Sequence, residues 1–402
     1  MTRALSDRTK VISTLGVVQV FAWGSTYYLL TVLIEPILRD TGWPRGAITA
    51  GISVALLASG AVAMRVGRLI QVHGGRPVLA GAMTLMAAGL ALMAAAPNVP
   101  IFLSAWAVVG VGMGAGLYDA AFSTLGRLYG SSARRAITVL TLWGGFASTV
   151  CWPISAWLVE VVGWRGTCAI YAAFHLLVTL PLCLALLPRE ARNLAALIPE
   201  AVSGRPIPTR DARFWLLAAI GTVKSFTNAT WSVLLVSILL TRGVTTAEAV
   251  VLGALIGPAQ VGGRVVEMAL GGRYHPVWTT VAATWLVGLG FLGLTLDIPT
   301  AVALIAYGAG NGVWSIAQGA MPLAMFGPPD YPSIMGKLAT PALLAAAAAP
   351  VIGGVLLDAF GGEKVLLALT LVSVVPIVCA VALLRLRRGP TGQACHQTLM
   401  TD

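Results

Sequence analysis

Twelve apolar stretches, each long enough to form a membrane-spanning helix, dominate the sequence. They cover residues 11–38, 46–66, 77–97, 100–129, 135–158, 166–188, 213–241, 246–270, 276–296, 299–326, 333–357 and 363–386. A helix needs about 20 apolar residues to cross a bilayer, and in lipid every backbone polar group must bond within its own segment. The pattern therefore predicts an all-α integral membrane protein with twelve transmembrane helices, numbered here as spans 1 to 12.

The composition supports an integral membrane protein and excludes the soluble classes of protein. Only 10% of the 402 residues are charged, against about 25% in soluble domains. One polar stretch separates the first six spans from the last six. We predict an N-terminal six-helix bundle over residues 1–188, a cytoplasmic linker over 189–212, and a C-terminal six-helix bundle with a short tail over 213–402.

The net charge of +11 is explained by basic loops rather than by nucleic-acid binding. Of 26 Lys and Arg residues, 20 fall in alternate loops on the N-terminal side of the membrane and five on the other, with Lys224 assigned to a span. This bias predicts that both termini are cytoplasmic. The first apolar stretch is too long for a cleaved signal peptide, so we expect a multi-pass protein of the cell inner membrane.

The two halves contain matching motifs. Residues Gly67–Gln71 resemble Gly263–Glu267, at a spacing of 196 residues. A second match links 157–163 to 355–361 at a spacing of 198 residues. Two matches at nearly the same spacing predict two six-helix units related by pseudo-two-fold symmetry, an arrangement known among secondary transporters.

The loop after span 2 carries a resemblance to the major facilitator superfamily. Gly67, Gly74 and Arg76 match the family pattern, whereas Gln71 replaces its acid; the second-half copy keeps an acid, Glu267. The resemblance implies a cytoplasmic latch between the halves. Because Gln71 cannot form an ion pair, we expect either a weaker latch or a larger role for Glu267 with the cluster Arg127, Arg134 and Arg135, and we include Arg134 and Arg264 among the gating residues. Alternatively, these arginines only set topology.

A second, shorter resemblance is to bacterial members near the monocarboxylate and oxalate–formate branch. It rests on 114–122 and on Gly257-Pro258-Ala259-Gln260. It implies a small organic anion as substrate without naming one.

Ionisable residues within spans are costly and mark candidate sites. Lys224 lies eleven residues after Arg213, roughly 16 Å into span 7 and close to the midplane. We predict that it binds an anionic substrate, with Asn228 one turn away; the alternative is a structural lysine paired with a carboxylate. Asp119 in span 4 is the candidate proton carrier, and a salt bridge near the inner gate is the alternative.

Two further spans have polar faces. Trp23 and Tyr27 lie one turn apart in the middle of span 1, which favours a cavity wall over an interfacial belt. In span 10, Asn311, Trp314 and Gln318 share one face, which lines the pore or bonds to a neighbouring helix. We assign these residues to substrate binding.

The sequence predicts a secondary active transporter that moves a small, monocarboxylate-like anion by alternating access, with coupling to protons or a counter-substrate. An exporter of drugs or other toxic compounds is the alternative, and a non-transporting membrane sensor or scaffold is an alternative of another class. The histidines and cysteines lack metal spacing and no phosphate-binding loop or nucleophile motif occurs, so we expect no catalytic residues, no metal and no cofactor. The expected partners are the substrate and the lipid bilayer, and we expect a monomer.

Overall fold

The computed structural model describes residues 2–189, 210–270 and 273–386, and this part of the chain is helical with no strand. Most of the predicted linker, 190–209, and the tail after 386 lie outside it. Its sixteen α-helices are α1 Thr2–Gly24, α2 Leu29–Thr41, α3 Arg45–His73, α4 Gly75–Ala94, α5 Val99–Gly116, α6 Tyr118–Tyr129, α7 Ala133–Gly145, α8 Ala147–Phe174, α9 Leu180–Leu186, α10 Ala212–Thr241, α11 Thr246–Ala254, α12 Ile256–Leu270, α13 Pro276–Thr295, α14 Thr300–Phe326, α15 Tyr331–Phe360 and α16 Gly362–Leu386.

The predicted fold class is confirmed, and each predicted span has a helical counterpart. In the described residues, nine helical stretches are long and apolar enough to cross a membrane. One of them, Val99–Leu186, contains spans 4, 5 and 6. Span 8 is not among them; it is divided at Leu255 into helices of nine and 15 residues.

The boundary between spans 5 and 6 is a glycine inside α8. Gly163 has φ of 71°, a left-handed conformation that side chains other than glycine rarely adopt. The equivalent glycine of the second half, Gly361, has φ of 81° and separates α15 from α16. The second sequence match therefore ends in the same backbone conformation in both halves.

Four spans are interrupted, and two of the breaks shape the centre of the molecule. Span 1 unwinds over residues 25–28, between α1 and α2, and span 4 breaks at Leu117, which is extended with ψ of −164°. Spans 5 and 8 break near Phe146 and Leu255. An interrupted helix is tolerated at membrane depth where it is buried in protein or faces a cavity.

The buried core of the first half continues into the second. It includes Tyr331, Met335 and Ala346 of α15, which packs along α3. Two smaller apolar clusters belong to the second half alone, one around Trp231 and Phe291 and one around Ile220 and Leu383. The two halves thus share an apolar contact along α3 and α15.

Candidate functional site

A cavity of about 340 Å³ lies between the two halves. Every residue that the sequence analysis assigned to substrate binding or proton coupling lies on its wall: Trp23, Tyr27, Asp119, Lys224, Asn228, Asn311, Trp314 and Gln318. They come from spans 1, 4, 7 and 10, so the fold brings together side chains that are up to about 295 positions apart in the sequence. Their roles in transport stay predictions.

Aromatic rings cover the first-half side of the cavity, and we call Trp23, Tyr27, Tyr28 and Tyr118 the aromatic wall. The ring of Trp23 lies 5.4 Å from that of Tyr27 and 5.2 Å from that of Tyr118, centroid to centroid. Tyr27 and Tyr28 meet edge to face at 5.5 Å. Both tyrosines lie in the unwound segment of span 1, where two consecutive side chains can face the same cavity.

A buried polar cluster supports the unwound segment from behind. Ser25 Oγ lies 2.7 Å from His175 Nε2, and His175 Nδ1 lies 2.9 Å from Thr179 Oγ1. All three side chains are fully buried, and residues His175–Thr179 form a π-helical turn in span 6. The sequence analysis did not assign His175 a role; its only signal was a histidine within an apolar stretch.

Lys224 is buried and has no hydrogen-bond partner for its amine. The residue is 2% exposed, and no described group bonds to Nζ. The amine lies 6.0 Å from the centre of the Tyr307 ring, whose hydroxyl donates to Asn228 Oδ1 at 2.8 Å. An unpaired buried ammonium is unfavourable. Among the described residues, Lys224 is thus not paired with a carboxylate, which was the alternative.

The structure corrects the placement of Arg264 in a cytoplasmic loop. Its side chain is 6% exposed and lies on the cavity wall, and its gating role stays a prediction. Its Nε donates to Ser315 Oγ at 2.9 Å, and its Nη1, which lies against Gly145 of the other half, has no partner among the described residues. The physical reason is position: Arg264 lies six residues before the end of α12, inside the predicted limits of span 8. That position was the signal that the sequence analysis missed.

The cavity wall has an excess of positive charge. Lys224 and Arg264 are its cations, and Asp119 is its one acid among the described residues. Asp119 lies in the first turn of α6, and no described side chain forms a salt bridge with it. Three buried donors on the wall have no acceptor among the residues that the structure describes: Lys224 Nζ, Arg264 Nη1 and Trp23 Nε1. Such a wall is suited to a ligand that carries negative charge and acceptor atoms.

Gln71 and Arg134 of the predicted latch form polar contacts between the halves at the predicted cytoplasmic end, and Arg134 Nη1 also donates to the carbonyl of Tyr274 at 2.6 Å. Gln71 Nε2 donates to the carbonyl of Pro329, in the loop before α15. Arg134 Nη2 lies 3.2 Å from Glu267 Oε1, which also accepts a hydrogen bond of 2.8 Å from Thr279. The side chains of this ion pair are 21% and 14% exposed.

The remaining latch residues take different places. Gly67 packs so closely on the carbonyl of Pro332 in α15 that a Cβ would collide with it. Gly74 ends α3 with φ of 81°. Arg76 donates to the carbonyl of Leu184 in its own half, a bond that ties α4 to α9, and its gating role stays a prediction.

Comparisons with a family profile and with solved structures both point to transporters. A sequence profile described as Major Facilitator Superfamily matches residues 15–296. The crystal structure of the human organic anion transporter MFSD10 (TETRAN) superposes with a TM-score of 0.73 at 16% identity, over 93% of this chain and 99% of that one. The proton:xylose symporter XylE gives 0.70 at 14% identity (94% and 96% covered), and the fucose:proton symporter FucP of E. coli gives 0.68 at 16% identity (94% and 98%).

One curated sequence is also similar over part of its length. The transcription regulatory protein OpdE of Pseudomonas aeruginosa is 29% identical over 151 residues. The match covers 36% of this chain and 36% of that protein.

Proposed function

The chain belongs to the Major Facilitator Superfamily and is therefore a secondary transporter that works by alternating access, and we propose that its substrate is a small organic anion. The observation that carries the proposal is the set of three unpartnered donors on a cavity wall with two cations and one acid. In this reading Lys224 and Arg264 bind the anionic group. Binding supplies the acceptors that these buried donors lack.

Alternating access needs the substrate site to stay fixed while contacts at the two ends exchange. Cavity and latch meet at α12, which carries both Arg264 and Glu267. A movement of this helix relative to the first half changes the Arg134–Glu267 pair and the position of the cavity cation together. We propose that this shared helix links substrate binding to the opening of the predicted cytoplasmic end.

We propose that protons are the coupling ion and that Asp119 carries them. Protonation of Asp119 removes the one acid of the wall and raises the net positive charge that faces the anion. Proton and anion therefore favour each other's binding, which is reciprocal coupling. The arrangement supports symport of proton and anion rather than exchange.

The test is transport by purified protein in proteoliposomes. We would measure uptake of labelled carboxylates and of cationic drugs, with and without a pH gradient, for wild type and Lys224→Ala. Lys364→Ala is the matched control, because Lys364 is exposed and far in sequence from any wall residue. The proposal expects carboxylate uptake that responds to the gradient, disappears in Lys224→Ala and persists in Lys364→Ala. Uptake of cationic drugs that is the same in wild type and Lys224→Ala would instead support the exporter.

A sensing role is the second candidate, and the similarity to a protein named as a transcription regulator favours it. In a sensor, the cavity binds its ligand without moving it. The same preparation separates the two: ligand binding to the purified protein with no flux in either direction supports the sensor, and flux contradicts a purely sensing role.

We also propose that the protein is a monomer in a bacterial inner membrane, with both termini in the cytoplasm. We place it near the monocarboxylate and oxalate–formate branch of the family. We propose two six-helix units, over 1–188 and 213–402, joined by a linker. The distribution of Lys and Arg supports the orientation. Labelling of cysteines introduced at Arg45 and Ser132 of the intact protein in membrane vesicles tests it. We expect only the second to be protected from impermeant reagents applied from outside.

A further inference from the structure

The cavity is chemically divided between its two sides. The first half contributes the four rings of the aromatic wall, and the second half contributes both cations, Lys224 and Arg264, with a single ring, that of Trp314. A short aliphatic acid uses only the cations and leaves the ring surfaces without contact. A ligand complementary to both sides has an anionic group at one end and a flat apolar body at the other.

The aromatic wall is held rigidly enough to act as a surface. Tyr118 is stacked on Phe122 behind it, with ring centroids 5.0 Å apart and planes at 11°. Tyr28 also meets Trp152 at 6.2 Å. Packing on both flanks fixes the ring planes that face the cavity, and preorganised rings lose little side-chain freedom when a ligand binds.

Two donors lie beside the rings rather than away from them. The Arg264 guanidinium lies against Gly145, and the Tyr118 hydroxyl lies against the adjacent Gly144. Trp23 belongs to the wall, and its Nε1 has no acceptor. An acidic group attached directly to a ring can therefore reach donors while the ring contacts the wall.

The size of the cavity fits the same class of ligand. Its volume of about 340 Å³ lies at the lower end of the range of about 300–1,000 Å³ for pockets that bind drug-sized ligands. This is more space than an acid of one to three carbons fills. One aromatic ring with its carboxylate occupies both sides of the cavity.

We infer that the transported anion is an aromatic carboxylate, with its ring on the aromatic wall and its carboxylate towards Lys224 and Arg264. The inference rests on the proposed function, since it names the class of the anion. It assigns Trp23 and Tyr27 to selectivity and the two cations to affinity.

Binding to the purified full-length protein, measured by isothermal titration calorimetry, tests the class with four probes. Benzoate carries ring and charge, cyclohexanecarboxylate keeps the charge and similar size without aromaticity, acetate keeps the charge alone, and benzylamine reverses the charge. We expect benzoate to bind about three- to tenfold more tightly than cyclohexanecarboxylate. Acetate should bind more weakly still, and benzylamine should not bind.

Two variants assign the effect to the wall. Trp23→Leu should reduce the preference for benzoate over cyclohexanecarboxylate to near one. Loss of the indole N–H donor weakens both acids alike and does not change this ratio. Trp285→Leu is the control, because Trp285 is 47% exposed and is not on the cavity wall, and it should leave the preference unchanged. The ratio in wild type needs no variant, so the inference stays testable if Trp23→Leu does not fold.

The outcomes separate the two levels of the proposal. Equal binding of benzoate and cyclohexanecarboxylate overturns the aromatic class and leaves the anion transporter intact. Binding of benzylamine without binding of any carboxylate overturns both. A preference for benzoate that survives in Trp23→Leu and also in Tyr27→Leu overturns the role of the wall.

Discussion

Two of the contacts that join the halves at the predicted cytoplasmic end are made from equivalent positions and differ in chemistry. Gln71 reaches the loop before span 11 with a neutral hydrogen bond to the Pro329 carbonyl. Its counterpart Glu267 reaches the start of span 5 and forms an ion pair with Arg134. A charge-assisted bond is about twice as strong as a neutral one. Replacement of the acid in the first repeat therefore weakens one of the two contacts and makes the pair unequal.

The two halves also differ at the arginines that lie three residues before Gln71 and Glu267. Arg68 is exposed and contacts Met64 of its own helix. Its counterpart Arg264 is buried on the cavity wall. Matching sequence thus serves different purposes: the first copy is a closing contact, and the second combines a closing contact with a cavity cation one turn away. Local similarity does not predict burial, because burial depends on what packs against each helix.

The largest expected effect comes from changing the two arginines separately. Arg264→Met removes a cavity cation and should lower kcat/KM for carboxylate uptake by about 100-fold or more, because a buried charge–charge contact with the substrate is lost. Arg68→Met changes an exposed residue and should stay within about twofold of wild type. Initial uptake rates in proteoliposomes over a range of substrate concentrations measure both.

Arg264→Lys sharpens this comparison. It keeps the charge but loses the planar donor set, and it should recover part of the activity. Equal losses in Arg68→Met and Arg264→Met would show that the two copies have the same function and would remove Arg264 from the substrate site.

The next largest effect concerns the unequal contacts between the halves. Glu267→Gln removes the negative charge of the pair and leaves the Arg134 guanidinium bonded to a neutral amide, which should shift the conformational equilibrium away from the closed cytoplasmic end by roughly 1–3 kcal/mol. Gln71→Met removes one neutral bond and should shift it by about 0.5–1.5 kcal/mol. Distances between spin labels at Ser131 and Arg273, introduced into a cysteine-free background, report the populations.

Double replacement provides the check on this ranking. If both variants shift the populations equally, the charge at Glu267 adds nothing. Arg134 also donates to the carbonyl of Tyr274 at 2.6 Å, so Arg134→Gln removes more than the ion pair. If Arg134→Gln combined with Glu267→Gln shifts the population no further than Arg134→Gln alone, Glu267 acts through Arg134.

Sequence reasoning predicted the spans because lipid forces every crossing segment to be apolar and helical, and that constraint is local. Lys224 was found for the same reason, since a charge inside an apolar stretch is unusual. Arg264 was placed wrongly because it lies near the end of a span, where sequence does not show whether a long side chain points to water or to the cavity. The break in span 1 and the support from His175 depend on contacts about 150 residues apart, which no local pattern encodes.

A moderate effect is expected at that break, which has no counterpart in span 7. Span 1 unwinds over residues 25–28, whereas α10 is continuous from Ala212 to Thr241. His175→Leu leaves the buried Ser25 hydroxyl without this partner, and the folded state should lose about 1–3 kcal/mol. Because the break positions Tyr27 and Tyr28, substrate KM should also rise.

The position equivalent to His175 provides the control. Ser373 follows it by 198 residues, is buried, and donates only within its own helix, to the carbonyl of Thr370 at 2.6 Å. Ser373→Ala should change the thermal unfolding midpoint slightly and leave KM unchanged. His175→Gln, which can bond at both ends, should restore much of the loss. A fall in stability in His175→Leu with unchanged KM would limit His175 to a structural role.

The smallest effect is expected at a surface ion pair outside both the cavity and the contacts between the halves. Asp211 caps α10 by accepting from the Arg213 backbone at 2.9 Å, and its carboxylate pairs with the Arg213 side chain at 2.6 Å. Hydrogen bonding from the Arg213 side chain holds the pKa of Asp211 below its usual value. Asp211→Asn keeps the cap and removes the charge, so it should lower stability by about 0.2–1 kcal/mol, whereas Asp211→Ala also removes the cap and should lose about 1 kcal/mol more.

The pH dependence of this pair has a definite sign. Since folding lowers the pKa of Asp211, its stabilisation is complete above the usual carboxyl pKa and is lost as the pH falls through the lowered value. Thermal unfolding of wild type and Asp211→Asn in detergent should therefore differ at pH 7 and converge in acid. Thermal unfolding of Glu267→Gln under the same conditions provides the comparison. If Asp211→Asn lowers the unfolding midpoint as much as Glu267→Gln does, the exposed pair stabilises the fold as much as the part-buried pair between the halves.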